Sequence, residues 1–460
     1  MSDTVPDSVA ALRTRAQPVV AALLAAGGRP LVVGGAVRDA LRGSFSSDID
    51  IEVYHLEPDA LLDTLIPLGK LNAVGRSFGV LKLRLADGCA FDITIPQRDN
   101  RNTHGGRGVL SAADPHMTPH EAASRRDFTW NALAITPEGE LLDFFDGVGD
   151  LHNGVIRHIS NAFAEDPVRV LRAMQFAARF DMQFAPATAA YCQTLLPLAS
   201  TIAPERVWGE WAKWALGSYP RAGLQALHES GWVAHFPELA ALCDCVQSPE
   251  HHPEGDVWAH VGFVCTAAAQ IATRDQLATE PRRVLLFAAL CHDLGKPATT
   301  QLDQDGRIRS RGHAVAGVAV AKAFLGRIGA PQAIIEQVLP LVREHMAHYG
   351  QPTPRTLRRL AARLAPSSIG TWAQLVEADH SGRPPRPPRD PARDFVTHAH
   401  ELGILDSPPA PVLTGRDLLT AGYTHGPGIG RLLRDAYQAQ LDGTFTTVEE
   451  GLVWLRNERL

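Results

Sequence analysis

The rhythm of hydrophobic and polar positions changes once along the chain. Residues 5–27 place apolar side chains at helical spacing and stop at Gly27-Gly28, which predicts an amphipathic helix. Short apolar runs follow at 30–33, 48–54, 79–85 and 91–95, punctuated by Gly, Asp and Asn, and these read as strands. Residues 141–145 read as a further strand. From about Asp166 onward the 3.6-residue period dominates. The pattern therefore predicts an α+β region over roughly the first 150 residues and a nearly all-helical remainder. No period of 20–50 residues recurs, which excludes solenoids and propellers. Three breaks interrupt the pattern. QSPEHHPEG (247–255) is polar and turn-rich, SGRPPRPPRDPAR (381–393) reads as a semi-rigid linker, and 96–111 is a polar loop carrying Arg98, Arg101 and Arg107.

Composition narrows the class. The chain has 460 residues, 45% hydrophobic and 20% charged, as expected of a globular protein of roughly three domains. No apolar run reaches the roughly 18 residues needed to span a bilayer, so no membrane partner is expected. The opening MSDTVPDSVAALRTRAQ lacks a basic region followed by an apolar one, so no secretory signal is expected. Cysteines at 89, 192, 243, 245, 265 and 291 form no CxxC pair, which argues for a reducing cytoplasm rather than a disulfide framework. The net charge of −6 argues against a nucleic-acid partner as far as whole-chain charge can. Lysine occurs only at 70, 82, 213, 296 and 322, so 39 of the 44 basic residues are arginine. A GC-rich genome and a use of arginine's planar fork on phosphates both account for that bias, and composition does not choose between them.

The chemistry starts with LVVGGAVRDALRG: a strand, then Gly34-Gly35, then a helix. Such a turn admits a phosphate to the helix N–H groups. Asp48-Ile49-Asp50 follows on a strand, where alternate residues share a face, and two carboxylates held together call for a cation. Mg²⁺ suits hard oxygens and leaves positions for phosphates. Gly-Gly turn and paired carboxylates together suit attack on a nucleotide α-phosphate. Asp92, on a later strand, is either a third carboxylate or a strand-end aspartate. Further on, SRRDFTWNALA (124–134) and EDPVRVLR (165–172) concentrate arginine and acid. Asp166 can cap a helix, and Arg169 and Arg172 then share one face.

GGAVRD, DID, RRDFTWNALA and EDPVRVLRAMQFAARF, in this order, resemble the bacterial tRNA nucleotidyltransferases: class II CCA-adding enzymes and their A-adding, CC-adding and poly(A) polymerase relatives. The resemblance implies an α+β nucleotidyltransferase head of the polymerase β superfamily followed by a mostly helical neck, body and tail. It implies that Gly35 and Arg38 contact the incoming triphosphate and that the catalytic Asp48 and Asp50 bind Mg²⁺. Arg126 and Asp127 would contact nucleotide phosphate and sugar, supported by Asn131. Glu165, Asp166 and Arg169, with Arg172 nearby, would form the template that reads C or A. PERVWGEWAKWAL (204–216) resembles a later neck motif around Glu205 and Arg206, and GRSFGVLKL (75–83) fits the head. Trp130 departs from the usual aliphatic residue, at a position that reads as packing.

A second set lies downstream: His260, then His292-Asp293 after the apolar run 284–291, then His313, His345 and Asp379. Imidazole and carboxylate together suit a divalent transition metal or Mg²⁺. The order resembles the HD metal-dependent phosphohydrolases over about 250–385. That resemblance implies metal ligation by His260, His292, Asp293 and Asp379, a second metal site completed by His313 and His345, Lys296 near a phosphate, and phosphatase or 2′,3′-cyclic phosphodiesterase activity. His251, His252 and His348 fall outside it. Residues 413–443 resemble the family's tail, with Gly415-Arg416-Asp417 and Gly426-Pro427-Gly428 as turns between helices.

The sequence thus points to four domains: a head (1–150), a neck and body that template the nucleotide and bind RNA (151–246), an HD domain (250–385) and a helical tail (394–460). The expected function is addition of C and A to the tRNA 3′ end from CTP and ATP, with hydrolysis at the second site. An A-adding enzyme, a poly(A) polymerase, and an HD hydrolase with a nucleotide-sensing head are the alternatives; the family resemblance implies that CC-only enzymes lack a loop like that at 96–111, so its presence disfavours CC-only addition.

Overall fold

The computed structural model describes residues 7–45, 48–72, 80–98 and 113–457. The chain forms two compact units that interleave in sequence. The first comprises Met1–Ala173, Phe180–Ile202 and Ala226–Trp232, and the second Met174–Arg179, Ala203–Gln225 and Val233–Leu460.

The first unit opens with helix α1 (Asp7–Ala25), which buries Val9, Leu12, Ala16, Val19, Val20 and Leu23 along one stripe. It ends where Gly27 turns left-handed at φ 88°. Seven strands then form one mixed sheet: β1 (Arg29–Val33), β2 (Asp48–Tyr54), β3 (Lys70–Asn72), β4 (Val80–Arg84), β5 (Ala90–Thr94), β6 (Ala134–Ile135) and β7 (Leu141–Leu142), in the order β3-β4-β5-β2-β1-β6-β7. Within this sheet, among the described residues, only β2 and β5 pair in parallel. Helix α2 (Gly35–Leu41) follows β1 directly. In β2 the buried Ile49, Ile51 and Val53 alternate with Asp48, Asp50 and Glu52, so three acids share one face.

The strands expected from the sequence form, with one correction. The run 141–145 pairs only over Leu141–Leu142. Asp143 ends it by folding its carboxylate onto the N–H groups of Phe145, Gly147 and Val148, donors a strand would have used for pairing. β3 and β6 lack a sequence signal because three and two residues are too short for a period. Most of the 96–111 loop, with Arg101 and Arg107, lies outside the described residues, as do residues 75–79 of the GRSFGVLKL motif. Arg98 pairs with Asp114 at 2.5 Å.

The second unit is helical around an aromatic core. Helix α3 (Val168–Phe180) contributes residues to both units. Helix α4 (Pro204–Trp214) buries Trp211 and Trp214. Trp211 meets Phe236 and Phe324 edge-on at 5.5 and 5.4 Å, and Trp208 stacks on Phe287 at 5.2 Å. Helices α5 (Val257–Arg274), α6 (Thr279–Cys291), α7 (His313–Arg327), α8 (Gln332–Glu344) and α9 (Ile369–Ser381) build the rest. Stretch 381–393 is no free linker. Arg383 pairs with Asp379 at 2.6 Å, Arg386 donates to the Glu250 carbonyl, and Ala392 is buried. Gly415-Arg416-Asp417 is likewise not a turn between helices but the first turn of the helix Gly415–Thr420, capped by Thr414 and Asp417.

Candidate functional sites

The first site grows from the β1–α2 turn. Gly34 sits at φ 71°, and a Cβ there would lie 2.9 Å from Arg126 Nη1 and 3.4 Å from Asp50 Oδ2, so only glycine fits this approach. Sheet register sets Asp50 beside Val33 on one side and Asp92 on the other. Asp48, Asp50 and Glu52 line this face of β2, and Asp92 faces them from β5. Burial pushes the Asp50 carboxyl up, Arg126 opposes it, and Asp92 and Asp48 add to the rise. Lys82 on β4 draws Asp92 aside with contacts of 2.8 and 3.1 Å to its two oxygens. No three ligand groups converge within 4.8 Å here among the described residues.

Arg126 lies 3.3 Å from Glu52, which also accepts a 2.5 Å hydrogen bond from the Tyr54 hydroxyl. Glu52 and Tyr54 were not singled out from the sequence, although Glu52 continues the alternation of Asp48 and Asp50. Arg38 is buried. It donates to Asp39 at 2.8 Å and to Asn131 Oδ1 at 2.7 Å, and it packs over the Trp130 and Phe180 rings. Trp130 is buried and stacked on Phe128 at 5.0 Å, the packing role expected for it.

Asp127 joins these groups to the arginine motif. Its Oδ1 accepts from the Phe128 N–H and from Asn131 Nδ2, and its Oδ2 from Arg172 at 2.9 Å. Burial would raise this carboxyl, but Arg172 and Asn131 outweigh it and hold it below the usual range. Arg169 is buried and donates to the carbonyls of Ala162 and Arg125 at 2.8 and 2.9 Å. Glu165 pairs with Arg125 at 2.7 Å, and Asp166 accepts from the Val168 N–H at the start of α3. The four template candidates therefore lie together around the start of α3.

The second site gathers side chains far apart in sequence. The apolar run of α6 is fully buried and ends in His292-Asp293. His260 comes from α5, His313 from the first residue of α7, His345 from just beyond α8, and Asp379 from α9. All six are buried. Asp293 is central: Oδ2 lies 3.3 Å from His292 Nε2 and 3.6 Å from His260 Nε2, while Oδ1 lies 3.3 Å from His313 Nε2. Asp379 reaches His260 Nε2 at 3.2 Å and is gripped by Arg383. Lys296 lies 2.6 Å from Asp293 Oδ2 and donates to Gln247 Oε1.

The donor set fits metal ions. The Nδ1 atoms of His292, His313 and His345 sit 2.7–2.8 Å from the carbonyls of Ala289, Ser310 and Val342. A carbonyl only accepts, so each Nδ1 carries the proton and each Nε2 offers a lone pair inward. Two such lone pairs, on His313 and His345, face each other at 3.0 Å, an arrangement that needs a cation. The buried Nε2 atoms of His260 and His292 make no well-directed hydrogen bond, and neither does His260 Nδ1. Of three triads with ligand atoms within 4.8 Å among the described residues, His260–His292–Asp293 and Asp293–His313–His345 share the aspartate, as a two-metal centre would, and the third is His252–Glu254–His260.

Sequence reading missed the wall of this site. Glu254 joins His252 and His260, and His348 and His380 meet edge-on at 4.8 Å beside Asp379. Against the pull of burial, hydrogen bonds from His252 and His260 hold the Glu254 carboxyl at about 2. The available signal was an acid flanked by histidines in HHPEGDVWAH.

Comparison with known proteins matches three stretches of the chain, which hold the acidic face of β2, Arg126–Asn131 and His260–His345 but neither Glu165–Arg172 nor Asp379. Residues 31–157 match the poly A polymerase head domain, 181–243 the probable RNA and SrmB-binding site of polymerase A, and 257–376 the HD domain. A multifunctional CCA protein of Xanthomonas campestris pv. campestris is 35% identical over 422 residues, covering 88% of this chain and 96% of its own. The CCA-adding enzyme of Bacillus stearothermophilus in complex with CTP superposes with a TM-score of 0.66 at 21% identity, over 97% of this chain and 98% of that one. That of Thermotoga maritima complexed with tRNA gives 0.56 at 19%, over 98% and 95%. At these identities the two structures support the fold.

Proposed function

The chain belongs to the multifunctional CCA protein family, and from that premise we propose that it adds C and A to the 3′ end of tRNA from CTP and ATP and hydrolyses phosphoesters at its histidine–aspartate centre. The acidic face of β2, set against the Gly34-Gly35 turn and beside Arg126, carries the first half of this reading. The Gly35 end of α2 and Arg126 receive the triphosphate. Asp48 and Asp50 would hold Mg²⁺, which would supply activation of the attacking hydroxyl and charge neutralisation for the leaving pyrophosphate. Arg169, pinned by two carbonyls, presents a preset fork to a base edge, with Glu165 and Asp166 as acceptors. Asp127 and Asn131 brace Arg172 and Arg38. The tRNA is recognised by shape and backbone rather than sequence.

At the second centre His260, His292, Asp293 and Asp379 would hold a divalent metal, and His313 and His345 would complete a second site; imidazoles favour a transition metal. Lys296 neutralises a bound phosphate. By function the chain divides into head 1–150, neck and body 151–246, hydrolase 250–385 and tail 394–460, a division that the two compact units cut across, since Ala203–Gln225 clusters with the hydrolase helices. No helix among the described residues is long and apolar enough to cross a membrane, and a tRNA-processing role fits the cytoplasm.

The test uses three tRNA transcripts, ending before CCA, after CC and after CCA, with labelled CTP or ATP and Mg²⁺. CTP incorporation into the first and AMP incorporation into the second are expected. Long tails would instead indicate a poly(A) polymerase, and AMP addition alone an A-adding enzyme. Asp48→Ala/Asp50→Ala abolishes incorporation and leaves cyclic-phosphate hydrolysis, while His292→Ala does the reverse. Full incorporation by the double variant would refute the assignment.

A further inference from the structure

His260 differs from the other imidazoles of the hydrolytic centre in what aims it. Nδ1 of His292, His313 and His345 faces a main-chain carbonyl. Nδ1 of His260 faces a carboxylate, Glu254 Oε1, at 2.7 Å. The same oxygen lies 2.9 Å from His252 Nδ1, and the Glu254 side chain is shut off from solvent. The His252 ring meets the His260 ring edge-on at 4.7 Å, so the three groups form one packed unit.

His252 Nδ1 lies within hydrogen-bond distance of the carboxylate oxygen, and His260 Nδ1 touches it at 2.7 Å without a well-directed hydrogen bond, a separation at which an unprotonated nitrogen and a carboxylate oxygen would repel. The His260 proton therefore sits on Nδ1, and its Nε2 lone pair is turned toward Asp379 at 3.2 Å and Asp293 at 3.6 Å. A carbonyl would select the same tautomer. A carboxylate also sets negative charge one ring away from the metal position, which makes the imidazole a stronger ligand. Residue 254 falls between the matched segments 181–243 and 257–376, in a stretch that reads as a plain turn.

We infer that Glu254 is a positioning residue of the hydrolytic centre: it fixes His260 as an Nε2 metal ligand and strengthens it, with His252 clamping the carboxylate from the other side. The inference rests on reading this centre as a metal-dependent hydrolase.

The test is a titration of the full chain with Co²⁺ in excess Mg²⁺, followed by visible absorption, which reports coordination rather than turnover. Glu254→Ala is expected to weaken Co²⁺ binding by about 10–100-fold and to alter the spectrum. Glu254→Gln keeps an oxygen for Nδ1–H but no charge, and should recover part of the affinity. CTP incorporation by the head controls for folding of either variant. Wild-type affinity and spectrum in Glu254→Ala would overturn the positioning role alone, as would Gln no better than Ala. Absence of any Co²⁺ band in the wild-type chain would overturn the hydrolytic-centre reading and this inference with it.

Discussion

Asp127 spends both carboxylate oxygens inside the protein, on the Phe128 N–H, Asn131 and Arg172. Asp127→Ala strips Asn131 and Arg172 of that partner. The expected loss is about 3 kcal/mol, the low end for a broken buried pair because Arg172 keeps a third of its side chain exposed. Urea unfolding followed by tryptophan fluorescence measures it, and an unchanged midpoint would show that Arg172 is content with water. The pH dependence has a definite sign. The folded Asp127 carboxyl lies below its ordinary 3.8, so its contribution is complete above that value and is lost only as pH falls through the lower folded one. Between pH 5 and 8 stability should not respond to this group. Residue types at the sites were legible in the sequence because the chemistry is written in them: DID, RRD and the HD pair need no fold to be noticed. Which way a side chain spends its donors was not. Arg38 reads as a phosphate contact by resemblance, yet its guanidinium is engaged by Asp39 and Asn131. Glu254 had only its flanking histidines as a signal, since no strand or helix period runs from a proline-bearing turn into α5.

The elements carry constraints that single residues do not. β2 was legible because its alternation is strict, and that same alternation delivers three acids to one face. The second site depends on how α7 docks, which no local pattern encodes. Gly295 follows the HD pair by two residues, and a Cβ there would overlap the His313 carbonyl oxygen and lie 2.6 Å from the Gly317 N. Its φ of −84° is open to any residue, so the constraint is close approach and not strain. Gly295→Ala must push the start of α7 away and take His313 from Asp293. Overpacking of this kind costs about 1–3 kcal/mol. Cyclic-phosphate hydrolysis should fall about tenfold or more, as when support for a metal ligand is lost. Incorporation of CTP should persist. Hydrolysis at the wild-type rate would mean that α7 yields without moving His313.

At the scale of the molecule, the chain does not fold as beads in sequence order. Ala203–Gln225 belongs to the same compact unit as the helices of the hydrolytic centre. Trp208 stacks on Phe287 of α6, and Trp211 meets Phe324 of α7, so α4 covers two helices that carry metal-site residues. Composition and length suggested about three domains, but no sequence period could show that a segment before the 247–255 break closes the core after it. A fragment of residues 250–385 would expose the faces of Phe287 and Phe324, each worth about 1.5–3 kcal/mol when buried. Set against the roughly 5–15 kcal/mol of net stability of a folded domain, that loss is a large share. The fragment is expected to aggregate or to lack a cooperative melt. A fragment of residues 203–460 restores α4 and should melt cooperatively and bind Co²⁺. Circular dichroism and Co²⁺ absorption on the two fragments check this. Cooperative folding of 250–385 with the Co²⁺ affinity of the whole chain would show that α4 is a neighbour of the hydrolytic unit and not part of its core.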